Sequence, residues 1–486
     1  MHQNEKKSTM SSFAWAFAER AGTQVASFIV SIVLARLLGP KTLGLLALAN
    51  IFISIMNAVT NTGFGTALIQ KKDADNLDFS STLYFSMATG VFAYIVLFIA
   101  APFIAKFFNV PKVCPVIRVM SIGFIFSSAN VVQRAYVIRK MQFRLFFYSS
   151  IFVSVFSAIV GISMAYLGFG VWALVAQQLT KSVVDIIVLA IMSDWRPKLI
   201  FSINRIKIIY GFGWKVLVSA VLEAVYQRLR NLVIGKFYDE EALAFYDKGL
   251  QFPNLLVTNI DTTIANVLVS AESKVQDTLE KVKNMSRKSV QVSSTLLFPL
   301  LLGLMACADN VVPLLLGNKW NPCIPYIKIL CIALMMMPVQ TANMQGFLAI
   351  GKSDVYLRIK LIQKIVGTLV IVLALILSKS PISIAYSELV AYILFAAIMF
   401  VPNKKHLDYS AKEQLSDLIP QLLAAILMVA VVLCVPFVLK NRIICLTVQV
   451  LSGAAVYIGV SYLFKLPGFM YLFNILKGIL HKGEKQ

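Results

Sequence analysis

A chain of 486 residues that is 58% hydrophobic and 14% charged cannot coat a globular surface, because soluble domains carry about 25% charged residues. Its net charge of +22 is spread in small groups between apolar runs, which excludes the concentrated basic face of a nucleic-acid binder. Six cysteines without metal-type spacing, and histidines confined to terminal or loop segments (His2, His406, His481), imply no disulfide, metal or cofactor.

Apolar runs of about 20 residues recur from end to end, each long enough to cross the hydrocarbon core. They are continuously apolar, so they read as helices and not as the alternating strands of a barrel. They predict an all-α integral membrane protein of about fourteen transmembrane helices. The spans are placed at 11–38, 43–69, 80–105, 114–138, 146–168, 171–192, 211–235, 250–271, 289–316, 322–350, 356–378, 381–402, 417–439 and 443–464. The first run is too long for a signal-peptide core and is expected to remain as the first span. Lysine and arginine favour alternate connections by roughly three to one, which predicts an even number of spans with both termini cytoplasmic. Lys248 falls in an external connection on this count. Asp73, Asp75 and Asp78 read as a solvated cytoplasmic loop balancing Lys71 and Lys72.

The chain also looks duplicated. The segment 39–50 lines up with 239–250, Pro115–Met120 with Pro325–Leu330, and Ser128–Asn130 with Thr341–Asn343. An even-numbered repeat keeps its orientation in the bilayer, so the copies should be related by an axis along the membrane normal. The expected organisation is a six-helix lobe at 1–200, a second at 201–402, and a pair of final helices with a cytoplasmic tail at 403–486. A basic, aromatic linker, 194–210, joins the lobes.

Nine basic residues lie within or at the edge of spans: Arg20, Arg36, Arg118, Arg134, Lys181, Lys215, Arg228, Arg230 and Lys328. A charge at mid-span costs about 2.5–3.5 kcal/mol on insertion scales, so several together demand partners or a wet cavity. Arg36, Arg118, Arg134 and Lys328 are close enough to span ends to snorkel. Helical spacing gathers others into stripes. The seventh span carries Lys215, Ser219, Glu223, Gln227 and Arg230; the first carries Arg20, Gln24, Ser27 and Ser31. The second has Asn50, Ser54, Asn57 and Asn61, and its repeat mate has Asn254, Thr258 and Asp261.

One reading of these stripes is interhelical hydrogen bonding that holds a bundle together. Lys181 and Asp185, four residues apart on the sixth span, read as an ion pair that neutralises itself. The other reading is a polar cleft between lobes whose excess of Arg and Lys suits an anionic ligand; basic groups near the cytoplasmic edge could instead contact anionic lipid. On the cleft reading the cavity cations are Arg20, Arg228, Arg230 and Lys215. The polar lining is Gln24, Asn57, Asn61, Gln227 and Asn254, and the acids available for ion coupling are Glu223 and Asp261. The final two spans, nearly all apolar, look lipid-facing. No Gly-rich phosphate loop, nucleophile elbow or large external loop is present, so enzymatic chemistry is not expected.

Two groups of segments carry a family resemblance. Ala35-Arg-Leu-Leu-Gly-Pro40, Leu43–Ala49 and Gly63-Phe-Gly-Thr-Ala-Leu-Ile-Gln-Lys-Lys72, with Pro299–Met305 and Val312–Trp320 in the second half, resemble bacterial polysaccharide flippases. These belong to the multidrug/oligosaccharidyl-lipid/polysaccharide exporter superfamily, and the likeness is greatest to exporters of the colanic acid, O-antigen and teichuronic acid type. The resemblance implies fourteen helices in two lobes, alternating access, and a lipid-linked oligosaccharide on undecaprenyl pyrophosphate as cargo. It implies an inner-membrane location and a role in exopolysaccharide or lipopolysaccharide biosynthesis, with membrane lipids and polysaccharide polymerase machinery as partners. Cavity cations of the family are thought to hold the pyrophosphate, a role the stripes allow for Arg20, Arg228 and Arg230. Many relatives have an Asp before the Gly-Phe-Gly segment where this chain has Asn61 and Thr62. The rivals are a multidrug extruder of the same superfamily, which should rely on acidic residues, and a membrane-embedded polysaccharide polymerase or ligase.

Overall fold

The computed structural model describes residues 2–61, 64–272 and 278–483, and the side chains of these except 2–21, 64, 208–213, 215, 263–272, 475–476 and 478–483. No strand occurs among the described residues. Two compact units divide the chain, residues 1–244 and 245–486.

Unit 1 begins with α1, His2–Asn61, which breaks at Gly39 (φ 75°, ψ 174°) before Pro40. Glycine takes the positive φ without a Cβ penalty, and Pro40 has no N–H to offer the preceding turn. The first expected span lies in the arm before this break, and the second, 43–69, takes in the arm after it and most of the next helix. A short α2, Phe64–Gln70, follows, then α3, Asn76–Phe108. A capping box opens α3: Asp75 accepts from the Asp78 N–H, and Asp78 accepts from the Asp75 N–H. The fourth span is divided into α4, Val113–Met120, and α5, Gly123–Arg139. The unit continues with α6, Phe143–Tyr166, α7, Val171–Met192, and α8, Ile203–Phe237. α8 packs on α1, α2 and α3.

The segment between α7 and α8 is docked and does not hang free. Trp195 is 4% exposed in a core cluster with Leu68, Phe79 and Val132. The Lys198 N–H donates to Ser80 Oγ and the Ser202 N–H to Ser81 Oγ, while Tyr84 Oη donates to the Lys198 carbonyl. The expectation of a solvated acidic loop here is corrected at Asp78. Its side chain is wholly buried and accepts Lys71 Nζ at 2.5 Å, with Arg205 Nη1 at 3.6 Å. Burial makes that pairing necessary, because a lone carboxylate would not tolerate it.

α9, Glu240–Glu272, carries the chain into unit 2. It is followed by α10, Leu279–Leu315, a 3₁₀ turn at Asn318–Cys323, α11, Ile324–Leu334, and α12, Met337–Ala349. Next come α13, Ser353–Leu377, α14, Ile382–Leu407, α15, Ala411–Val438, and α16, Arg442–Leu463. A final helix, α17, Pro467–Gly483, was read from sequence as tail; it packs on α10 and α16. Lys248, placed by charge counting in a connection, lies inside α9 at 7% exposure and donates to Gln251 Oε1 at 2.8 Å.

Eleven helices among the described residues are long and apolar enough to cross a membrane, one of them being the stretch Gly22–Gln70 that holds two expected spans. α8 and α9 are 35 and 33 residues long and occupy the positions of the seventh and eighth spans, the ones with the polar stripes. The outward surface is apolar: Phe92, Phe103, Ile191, Leu377, Val401 and Phe437 are all exposed, as lipid-facing side chains must be.

The duplication is visible in the order of breaks. The Gly39 break in α1 matches the α8–α9 junction at Tyr238 and Asp239. The α4–α5 break at Ser121 and Ile122 matches the α11–α12 break at Met335 and Met336. Met141 (φ 54°) after α5 and Gly351 (φ 74°) after α12 take the same left-handed turn. Arg118 of α4 reaches the Phe98 carbonyl of α3, and its mate Lys328 of α11 reaches Asp309 of α10 at 2.7 Å.

Candidate functional site

The polar helices of unit 1 enclose a cavity of about 560 Å³. α5 supplies Ser127, Asn130, Val131 and Arg134 at steps of three and four, one face of a helix. α7 supplies Lys181, Ser182 and Asp185; α6 supplies Ser150 and Val153; Thr23 and Asn61 come from the two arms of α1.

Asp185 is the hub. Its Oδ2 accepts Arg134 Nη2 at 2.8 Å and Nε at 3.3 Å, together with Asn130 Nδ2, and its Oδ1 accepts Ser149 Oγ at 2.7 Å. The Arg134 guanidinium lies 5.3 Å from the centroid of the Phe146 ring, a cation–π contact that steadies its plane. These donors, drawn from α5 and α6 onto one α7 carboxylate, tie the three helices together.

Two sequence expectations change here. Asp185 pairs with Arg134, 51 residues away, and not with Lys181. Lys181 makes no ion pair or hydrogen bond with any described residue. Arg134, expected to snorkel, lines the cavity with its side chain 47% exposed. Among the described residues, the charged lining is thus one neutralised pair and one ammonium without a partner. An i,i+4 pair on a helix is worth only a few tenths of a kcal/mol. Three further donors on one carboxylate outweigh it.

Of the residues marked from sequence, Asn61 lines the cavity and donates to Asn57 Oδ1 at 3.3 Å. Gln24 is half-buried on α1. The side chains of Arg20 and Lys215 lie outside the described residues, although Arg20 precedes Thr23 by three positions. Arg228 and Arg230 are half-buried on α8; Glu223 is exposed and accepts Gln227 Nε2 at 3.2 Å. In unit 2, Asn254 is exposed and Asp261 is 7% exposed. Arg134, Lys181 and Asp185, the charged residues of the described cavity lining, are not among the site residues expected from sequence. Their signal was present as opposite charges on the fourth and sixth spans, with Asn130 one turn before Arg134.

The residues that carried the resemblance fall within a longer match. The family described as "Polysaccharide biosynthesis protein" matches residues 33–325, more than half of the chain. The chain belongs to that family. Among similar polysaccharide biosynthesis proteins, "Teichuronic acid biosynthesis protein TuaB" of Bacillus subtilis (strain 168) is 27% identical over 308 residues, 61% of this chain and 62% of that one. The chain therefore spans a little under two thirds of that relative's length. "Lipopolysaccharide biosynthesis protein WzxC" of Escherichia coli (strain K12) is 22% identical over 361 residues, 73% of this chain and 72% of the relative. "Succinoglycan biosynthesis transport protein ExoT" of Rhizobium meliloti (strain 1021) is 22% identical over 327 residues, 67% of this chain and 66% of the relative.

Solved structures show the fold. "Lipid II flippase MurJ, inward closed conformation" superposes with a TM-score of 0.75 at 13% identity, covering 93% of this chain and 98% of that one. An inward-facing "multidrug resistance MATE family transporter of the MOP superfamily" gives 0.66 at 15% identity, covering 81% and 98%. The polysaccharide biosynthesis family thus shares its helical architecture with flippases and drug transporters alike.

Proposed function

We propose that this chain flips a lipid-linked oligosaccharide of the undecaprenyl-pyrophosphate type from the cytoplasmic to the outer leaflet of the bacterial inner membrane, by alternating access. Both termini lie in the cytoplasm, and the flipped repeat is handed to polymerase machinery for surface polysaccharide. The named roles of the relatives support this reading, as do helices of membrane length. The observation that carries it is Lys181, an ammonium with no ion-pair or hydrogen-bond partner among the described residues, in a cavity formed by spanning helices. Such a charge is tolerable in a membrane only if water or an anion meets it.

On this reading a phosphate-bearing headgroup meets Lys181 and Arg134 in unit 1, while Arg20, Lys215, Arg228 and Arg230 form the rest of the cationic path. Guanidinium and ammonium groups match phosphate by charge, and Arg134 still has three N–H donors beyond the two used on Asp185. The prenyl tail stays in lipid, because only the polar head faces a desolvation barrier. Ion coupling falls to Asp261, which is buried on α9, with Glu223 as the alternative acid. No step forms or breaks a covalent bond.

The test uses a strain in which this chain is the sole flippase for its polysaccharide. Cells carrying Lys181→Ala should accumulate lipid-linked repeats in the cytoplasmic leaflet and lose surface polymer. Normal polymer in Lys181→Ala and Arg134→Ala cells would reject the site. Increased drug sensitivity with intact polymer would favour the multidrug reading, which the second superposition keeps in play.

A further inference from the structure

Resting on the anionic-headgroup reading above, we propose that Asp185 is a counterweight that lowers the net positive charge of the cavity by one and so sets how tightly it grips an anion. The charged side chains among the described lining residues are Arg134, Lys181 and Asp185, two cations against one anion. Asp185 spends both oxygens inside the protein, on Arg134, Asn130 and Ser149, so it offers the ligand nothing directly. Its negative charge remains, however, and acts on anything that enters.

A purely structural hub would not need that charge. Asn130 and Ser149 could tie α5 and α6 to a neutral amide on α7, and an ion pair whose Arg134 side is half exposed adds little stability of its own. What the carboxylate adds is an opposing field beside two cations that face a multiply charged phosphate group. A carrier has to release its cargo as well as bind it, and two unopposed cations in a cavity between membrane-spanning helices would hold a pyrophosphate too firmly. A unit charge facing an anion across several ångströms at the effective dielectric of a protein changes binding by about tenfold. Affinity should therefore follow the cavity's charge count and not its number of hydrogen-bond donors.

The full-length protein in detergent micelles is titrated with inorganic pyrophosphate by calorimetry at fixed ionic strength. Asp185→Asn, which raises the count by one, should bind about tenfold more tightly than the unaltered protein. Arg134→Gln and Lys181→Gln, which lower it by one, should each bind about tenfold more weakly. The pair variant, Arg134→Gln with Asp185→Asn, restores the count and should bind within about threefold of the unaltered protein. Weaker binding by Asp185→Asn, or a pair variant as weak as Arg134→Gln alone, would overturn the counterweight. If Lys181→Gln still weakens binding in that case, the anion-site reading survives without it. An unaltered protein that binds no pyrophosphate, or binds it no better than Lys181→Gln, overturns both. Should Asp185→Asn fail to fold, the pair variant against Arg134→Gln makes the same comparison.

Discussion

Asp417 of α15 takes two hydrogen bonds from the Arg287 guanidinium of α10, from Nε at 2.8 Å and from Nη2 at 2.9 Å. Gln291 adds a third at 2.7 Å and Tyr409 a fourth at 2.8 Å, around a carboxylate side chain only 5% exposed. Higher along the same contact, Gln449 of α16 accepts Asn310 Nδ2 of α10 at 3.0 Å. The final two spans are thus bolted by one face to α10, while Leu423, Phe437 and Leu451 face outward. Replacing Asp417 with Ala strands a half-buried guanidinium and a buried phenol, and should lower stability by about 2 kcal/mol. Asp417→Asn, which keeps an acceptor for Tyr409, should lose less. Thermal unfolding in micelles measures both.

The same cluster predicts an alkaline weakness. Burial, and then the Asp417 carboxylate to which it donates, push the Tyr409 phenol above its ordinary value. A group whose value is raised by folding stabilises the fold fully below its unfolded value, about 10. That stabilisation falls away as pH climbs beyond it. Unfolding midpoints should decline above about pH 10, and the part due to this residue should vanish in Tyr409→Phe. An identical decline in that variant would reject the assignment.

Trp195 predicts that the inter-helix strap is a structural part of unit 1. Its indole lies 5.8 Å from Phe79 and 6.3 Å from Tyr136, centroid to centroid. Trp195→Ala should cost about 3 kcal/mol and expose the strap between Ser193 and Ser202 to protease. Asp75, at the opening of α3, is held below its ordinary value, first by the Asp78 N–H it accepts and then by Arg205 and Lys71. Its stabilisation is present above the unfolded value and is lost as pH falls through the lower, folded one. Asp75→Ala should therefore cost about 1 kcal/mol at neutral pH, with the gap to the unaltered protein closing in acid below about pH 4.

Met141 and Gly351 offer a matched pair. Both sit at positive φ, but only glycine does so without a steric penalty. Met141→Gly should be neutral or stabilising by up to about 1 kcal/mol, and Gly351→Ala destabilising by about 1 kcal/mol. No neighbour lies within 4 Å of a Cβ built on Gly351, so the second effect isolates backbone strain. Equal effects at both positions would contradict it.

The helices were legible because hydrocarbon length and charge asymmetry leave their mark on a single sequence. The breaks within the fourth and tenth spans were not, since a run such as Met120–Phe124 is as apolar as the helices beside it. α17 escaped because it is too short for a span. At the site, the helical spacing of Lys181 and Asp185 was read correctly and the partner was not. Spacing along one helix records who is near, while the choice of partner depended on α5 and α6 delivering Arg134, Asn130 and Ser149 to the same carboxylate. Asp78 shows the same limit: a loop position in the sequence, and a buried anchor once Lys71 and Arg205 close over it.

Ancestry and mechanics do not share a seam in this chain. By internal matching, α8 opens the second copy, yet it packs among α1, α2 and α3 of the first compact unit. A tandem fusion that had kept each copy self-contained could be reversed by one cut. Here, severing the chain at residue 200 would tear a helix from its neighbours, and severing it at 244 would bisect α9. The first compact unit is closed by a helix that internal matching assigns to the second copy.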